Sequence, residues 1–532
     1  VDLALPGDVK PKLELTVDMT PTKRKVVAVS LGPHVLGHAR PKIDPNDPAT
    51  KVAGCYKRVG RQPPRRQKLA LTRIARFTRK FCKKNLTPLS ANTDTSFETF
   101  IDNTPYTRER KGYLTQLNFE DHREITHRGV SGVKCFIKDE SYGEYKHARL
   151  IMSREDTFKC RYGPLIKTIE NEVYKYPAFI KHIPVAERAD YISEMLGDDG
   201  PYYETDYTAY ESQFEAKVMR AIEFVLYDYM TQYLPDHQEF MDMNYSVVGA
   251  DNQISANNVK FSVQARMSGE MSTSLGNGFS NLMVMLFVAK SKGCSDVKGV
   301  VEGDDGLFTM QGPTPTRNDF ADLGFEIKLA KNYYINDCSF CGIVFDDVEK
   351  LVVTDPAKVI MNFGWTTRQY LHASDKKLRA LLRAKSMSFL AAYPGCPIIQ
   401  ELAVYGIRVT RDIDDRFLRR TIARMKISAY EKQKMYGSSN PTAIPVGNRT
   451  RILISDRYGI TVDQQIAVET MLRNKNDLSP ILLDNQILFH DHTSDYYENF
   501  VITFPHCEGC FDVPNSSQVI ELLADIHALT IS

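Results

Sequence analysis

Between Asp47 and Asp94 the sequence has no acidic residue. The same window holds Lys51, Lys57, Arg58, Arg61, Arg65, Arg66, Lys68, Arg73, Arg76, Arg79, Lys80, Lys83 and Lys84. A block of one sign suits neutralisation of phosphates with release of counterions, although a solvated helix face accounts for charge alone equally well. Long apolar runs are also missing. The best, Leu282–Ala289, is far too short to cross a bilayer, so membrane attachment is expected to come from another segment or another protein. The opening VDLALPGDVK lacks a basic start followed by an apolar run, so no secretory signal is read there. It also lacks an initiating Met, and a fragment, a cleavage product or the downstream part of a longer product is expected. The ten cysteines are scattered apart from two close pairs, in a chain too long to need disulfide staples, which favours a reducing compartment. Internal repeats and low-complexity linkers are absent.

What is present is ordinary in bulk: 532 residues, 42% hydrophobic, 25% charged and a net charge of +2, enough chain to bury a large core. Residues 1–50 are rich in proline and contain a strand-like run, VVAVSL, at 26–31. In the basic window Ile74, Phe77 and Phe81 share one helical face, while Arg73, Arg76, Arg79, Lys80 and Lys84 occupy much of the rest. Strand-like and helix-like segments alternate from about 200 to 350, and residues 374–392 read as a helix within a weakly patterned C-terminal part.

Three polar clusters break this pattern. Tyr202-Tyr-Glu-Thr-Asp206-Tyr-Thr-Ala-Tyr-Glu211 reads as a strand entering a loop. A helix is expected at once, with Ser212 as N-cap, Glu215 as capping-box partner and Phe214, Val218, Ile222, Val225 and Tyr229 as its apolar stripe. Val300-Val-Glu-Gly303-Asp304-Asp305-Gly306-Leu-Phe has the form of a hairpin, with Gly and Asp supplying the positive backbone angles of a tight turn. A turn needs no second aspartate, and adjacent carboxylates repel unless cations neutralise them. Between the two lies Ser268-Gly-Glu-Met-Ser-Thr273-Ser-Leu-Gly-Asn277-Gly278, a small-residue loop opening onto a helix expected over Phe279–Ala289. Taken singly, each cluster is more simply a turn or a polar helix start.

Together, Asp206-x4-Glu211, Ser268-Gly-x3-Thr273-x3-Asn277 and Gly303-Asp304-Asp305 resemble motifs A, B and C of positive-strand RNA virus RNA-dependent RNA polymerases. Upstream, Lys138-Asp-Glu140 with Lys146-His-Ala-Arg149-Leu-Ile-Met-Ser-Arg154 resembles motif F, the basic fingers hairpin. Downstream, Leu323–Lys331 resembles motif D and Ser339-Phe-Cys341-Gly342 the motif E hairpin. Ser96-Phe-Glu and Tyr106–Lys111 resemble the motif G region of tombusvirus-like enzymes. The likeness covers roughly 55–400. One departure is Glu211, where these families usually carry Asp.

The resemblance implies an α+β right-hand polymerase fold with an antiparallel palm sheet: an N-terminal extension at 1–50, fingers at 51–200 with 235–265 inserted from the palm region, palm at 201–350, and thumb with C-terminal extension at 351–532. It implies attack of an RNA 3′-hydroxyl on the α-phosphate of an NTP with two Mg²⁺ ions, Mn²⁺ being a possible substitute. Asp206 and Asp304 would be the main metal ligands and Asp305 a secondary one. Lys138, Arg149 and Arg154 would grip the triphosphate. Ser268, Thr273, Asn277 and Glu211 would select ribose. Lys331 would protonate pyrophosphate, with Lys328 as its rival. Arg65, Arg66, Arg73, Arg76, Arg110 and Lys111 would contact RNA. The implied partners are template and nascent RNA, NTPs, and other viral replication proteins supplying membrane attachment at replication complexes in the host cytoplasm. Two alternatives remain: a reverse transcriptase, which shares the double aspartate, and a non-catalytic RNA-binding replication scaffold built on the basic block. A structural zinc at His490-Asp-His492 and His506-Cys507-Glu-Gly-Cys510 is a weaker reading, since a single Cys-x2-Cys knuckle carries little.

Overall fold

The computed structural model describes residues 12–15, 29–36, 54–55, 58–59, 64–123, 125, 132–138, 140, 149–197, 199–256, 259–425, 432 and 442–483. Lys146 and the His/Cys group at 490–510 lie outside them. Helices and mainly antiparallel sheets make an α+β fold, as expected.

The central sheet has the order β10 (Ile327–Asn332), β5 (Tyr202–Tyr207), β9 (Asp305–Gln311), β8 (Ser295–Glu302), all antiparallel. Alternation of side chains gives it two faces. Tyr203, Tyr207, Val301, Phe308, Met310 and Ile327 pack into the largest core, against the helices Ala216–Ala221, Glu223–Thr231 and Thr273–Ser291. On the other face Tyr202, Val300 and Leu307 meet Phe340, Ile343 and Phe345 of the short strands β11 (Ser339–Phe340) and β12 (Ile343–Phe345). That hairpin is where the motif E resemblance placed it.

A second sheet joins β1 (Lys12–Leu15), β7 (Val259–Val263), β6 (Asn252–Ala256), β3 (Val133–Ile137) and β4 (Leu150–Arg154) in that order. In β3 the buried Val133, Cys135 and Ile137 alternate with exposed Lys134 and Phe136, the period that a half-buried strand requires. Residues 133–154 and 252–263 are distant in sequence, yet β3 and β6 pair in parallel at Val133↔Ile254.

The C-terminal helices form a separate apolar core around Ile360, Phe363, Leu382, Leu402, Ile454 and Leu472. The helix Asp375–Ala392 starts where its sequence says it should, with the Ser374 side chain accepting from the Lys377 amide. Leu31 and Val35 are buried in this same core, and β2 (Val29–Ser30) pairs with β14 (Trp365–Thr366). No helix among the described residues is long and apolar enough to cross a membrane.

Candidate active site

The β8–β9 hairpin is fixed by its stems. Val300, Val301, Leu307 and Phe308 are almost fully buried on the two faces, so the register cannot slip by one residue without turning each of them to the wrong side. Glu302 and Asp305 are the closing pair, leaving Gly303 and Asp304 as a two-residue turn. Gly303 alone takes a positive φ, +65°, whereas the sequence suggested that Gly and Asp would share that role. Across β5, Thr205 faces Gly306. One step further along the same register, Asp206 stands beside Asp305 on the face opposite Thr205.

The result is a concentration of negative charge at one end of the sheet. Asp304 keeps solvent-accessible surface, yet burial among surrounding elements pushes its carboxyl above the usual carboxylate range, with Glu211 adding to the effect and Arg149 opposing it. Open to solvent but deep among protein atoms is the condition of a cleft floor. Burial, followed by the Asp304 charge, pushes Asp305 up to about 6. Asp206 is about 70% exposed, and among the described residues the cation paired with it is the Lys328 Nζ, 3.7 Å from Oδ2. The donor set is hard oxygen, and its charge is under-compensated by the protein. No three His, Cys, Asp or Glu side chains among the described residues gather tightly enough to hold one ion by themselves. These features fit a Mg²⁺-like ion, which typically takes one or two carboxylates and completes its shell with substrate phosphates and water.

Around this floor several expected residues converge. Asn277 offers its Nδ2 to Glu211 Oε1 at 3.4 Å, while its buried Oδ1 has no partner among the described residues. Lys138 and Arg149, at the base of the β3–β4 connection, are about half-exposed and meet at Glu140, at 2.9 and 3.5 Å respectively. The charge of Arg149 is felt at Asp304.

Other expectations need correction. Arg154 is buried: its Nε donates to Glu270 Oε1 at 2.6 Å and its Nη2 to Asn252 Oδ1 at 2.6 Å. A guanidinium spent this way ties β4 to β6 and cannot grip a triphosphate. The Ser268 hydroxyl donates to the Leu150 carbonyl (2.7 Å) and that of Thr273 to the Met267 carbonyl (2.8 Å), so the proton of each is used in shaping the loop. Lys331 lies on the opposite face of β10 from Lys328; its Nζ donates to Thr314 Oγ1 and sits over the Tyr203 and Tyr333 rings. It points away from Asp206. Arg66 pairs with Glu215 (2.9 Å), and Arg110 closes a two-pronged bridge to Asp156 (2.9 and 2.6 Å), so each is already held by a carboxylate of the protein. Lys111 donates to the Asp102 carbonyl at 2.7 Å. Arg65, Arg73 and Arg76 are exposed.

The helix expected to start at Ser212 starts at Ala216. Residues Tyr210–Gln213 form a 3-10 turn, the Ser212 hydroxyl donates back to the Ala209 carbonyl, and Glu215 is committed to Arg66 instead of a capping box. Its apolar stripe is nevertheless buried at Phe214, Val218, Ile222 and Val225. The helix expected over Phe279–Ala289 begins six residues earlier, at Thr273, because Gly276 and Gly278 lie inside it. Gly276 is there for space: a Cβ would collide with the Arg266 and Glu223 side chains.

Sequence reading missed Asn281. Fully buried one turn beyond Asn277, it donates to the Asp304 carbonyl at 2.9 Å, and its Oδ1 lies 3.3 Å from the Tyr207 hydroxyl and 3.4 Å from that of Thr205. It thereby clamps the turn to the adjacent strand. The signal was present, an amide in an otherwise apolar helical stretch. Asn281→Ala leaves those groups buried without their partner and is expected to lower stability by about 1–3 kcal/mol. Urea denaturation measures this, and steady-state kinetics should show kcat falling more than KM rises.

A family model for RNA dependent RNA polymerase matches residues 61–386, which include every carboxylate of the cleft. No curated protein matches the chain.

Proposed function

The chain belongs to the RNA dependent RNA polymerase family, and from that premise we propose that it replicates a positive-strand viral genome by a two-metal transfer of nucleotides onto an RNA 3′-hydroxyl. It is an RNA-directed RNA polymerase, a nucleotidyltransferase. The observation that carries the mechanism is the convergence of Asp206, Asp304 and Asp305 at one end of the central sheet, with both hairpin carboxyls pushed up by burial and by neighbouring negative charge. Asp206 and Asp304 would hold the metals and Asp305 would assist. Bound there, two Mg²⁺ ions, or Mn²⁺ in their place, would lower the pKa of the attacking hydroxyl and neutralise charge on the leaving oxygens.

The chain's own residues do the rest. Arg149 and Lys138, exposed beside the cleft, would release Glu140 to meet the triphosphate. Glu211, oriented by Asn277, would accept a ribose 2′-hydroxyl, and the unpartnered Asn277 Oδ1 offers a second acceptor. Lys328, alongside Asp206, carries the proton best placed for departing pyrophosphate. Lys328→Gln is accordingly expected to lower kcat about tenfold or more, within the range for loss of a general acid, whereas Lys331→Gln leaves it nearly unchanged. Single-turnover incorporation measures both.

In this reading the β3–β4 and β6–β7 sheet belongs to the fingers, the central sheet is the palm and the C-terminal helices are the thumb. The enzyme would be tombusvirus-like and would work at membrane-associated replication complexes in the host cytoplasm, recruited by other viral proteins. A comparison of NTP and dNTP incorporation on one RNA template tests the ribose-reading assignment: NTPs should be strongly preferred, and a dNTP preference would favour a reverse transcriptase.

A further inference from the structure

We propose that the outer face of the helix Ala70–Asn85 is a second RNA-backbone surface, separate from the catalytic cleft, that tethers template during synthesis. The tethering role rests on the polymerase reading; the RNA affinity does not. The helix buries Ala70, Ile74, Thr78, Phe81 and Cys82 and exposes Arg73, Arg76, Arg79, Lys80, Lys83 and Lys84. At 100° and 1.5 Å per residue these six cations span an arc of about 140° along roughly 17 Å of helix. None of them has a carboxylate partner among the described residues, in contrast to Arg66 just upstream, which Glu215 neutralises. Lys83 and Lys84 in the last turn complement the helix dipole. Arg73, Arg76, Arg79 and Lys80 have no such structural use, and their mutual repulsion opposes the fold unless a polyanion relieves it.

The position separates this surface from the chemistry. Phe77 and Phe81 pack on Phe287 and Phe279 of the helix Thr273–Ser291, which itself covers the Tyr203–Tyr207 face of the central sheet. Asp206 and Asp305 occupy the other face. The basic helix is therefore an outer layer behind the site, and Lys290, its Nζ over the Phe77 ring, extends the positive surface onto the neighbouring helix.

An anionic membrane surface is the other polyanion to weigh. Helices that lie in a bilayer interface insert bulky apolar side chains on the exposed side. Between 70 and 85 no large apolar residue is exposed; Leu69, immediately before, stands alone. A charged face without inserted apolar groups matches a phosphodiester backbone, which requires charge and no insertion.

The test uses the full chain carrying Arg79→Gln, Lys80→Gln, Lys83→Gln and Lys84→Gln, with thermal denaturation to establish folding. Binding of an unstructured, non-extendable RNA is measured against salt concentration, and polymerisation is measured on a long template and on one only a few nucleotides longer than the product duplex. The variant should bind RNA at least about tenfold more weakly, and the slope of log affinity against log salt should shrink by about 2 to 3 for four lost phosphate contacts. KM for the long template should rise, with kcat on the short template unchanged. Unchanged affinity and slope overturn the proposal. So does an equal loss of kcat on the short template, which would put the face in the catalytic channel. Loss of binding to phosphatidylserine vesicles with RNA binding intact assigns the face to lipid and also overturns it. A wild-type chain that binds RNA through these residues but incorporates no NTP contradicts the polymerase reading alone.

Discussion

Asp304→Ala is expected to reduce template-directed NTP incorporation by about a thousandfold or more, a loss near 4 kcal/mol of transition-state stabilisation. The size follows from the position of this carboxylate. It stands at the tip of a hairpin whose stems cannot slip, on a cleft floor where Glu211 and Asp206 add negative charge. Its two acidic neighbours are engaged elsewhere: the Asp305 carboxyl accepts from the Cys341 thiol, and Glu302 is bound to Arg188 at 2.8 Å. The same substitution should leave thermal stability equal or slightly higher in metal-free buffer. A carboxyl pushed above its usual range is an ionised group that the fold disfavours, so removing it relieves repulsion. Loss of activity without loss of stability separates a chemical role from a structural one. RNA affinity measured with a non-extendable strand should also be retained.

The largest effect on stability is expected at Arg266. Its guanidinium is 1% exposed, stacks on the Phe214 ring at 4.3 Å and pairs with Glu223, which is fully buried and also receives the Tyr227 hydroxyl at 2.9 Å. Arg266→Met would strand the Glu223 charge in the interior, and breaking one side of a buried pair costs about 3–5 kcal/mol. Replacing both partners, with Glu223→Leu added, should recover a large part of that loss, because a buried ion pair gains little over apolar packing. Denaturant midpoints of the single and double variants measure this. A double variant as unstable as the single would mean that Arg266 acts through packing on Phe214. The pair also lies against Gly276 in the first turn of the helix Thr273–Ser291, next to Asn277, so Arg266→Met is expected to impair activity even below the unfolding transition.

The clusters legible in the sequence were those in which local pattern and chemistry coincide. Gly303-Asp304-Asp305 is a hairpin turn because short buried runs flank it, and Ser374 caps its helix as its residue type demands. The hidden parts were those decided by distant partners. Nothing near Arg154 in sequence announces Glu270 or Asn252, and nothing near Arg110 announces Asp156, so a motif or a run of charge marks these arginines as ligand contacts while the fold supplies carboxylate partners to both, and to Arg66 as well. Period decided the lysines: Lys328 and Lys331 are three apart on one strand and must face opposite ways, which a motif match does not consider. Glycines at 276 and 278 suggested a loop, yet tight packing against Arg266 and Glu223 makes a glycine the residue that lets the helix continue there. The burial of Leu31 and Val35 within the C-terminal core belongs to the same class, a pairing between segments hundreds of residues apart.

The carboxylates gathered at the end of the central sheet are proposed to catalyse RNA-templated nucleotide transfer. The direct measurement is incorporation of labelled NTPs by the purified chain on a defined RNA template, with and without primer, comparing wild type with Asp304→Ala across a Mg²⁺ titration. The wild type should yield product complementary to the template and none without divalent metal, and the variant should yield about a thousandfold less or lower still at every Mg²⁺ concentration. Equal product from wild type and Asp304→Ala would contradict the proposal.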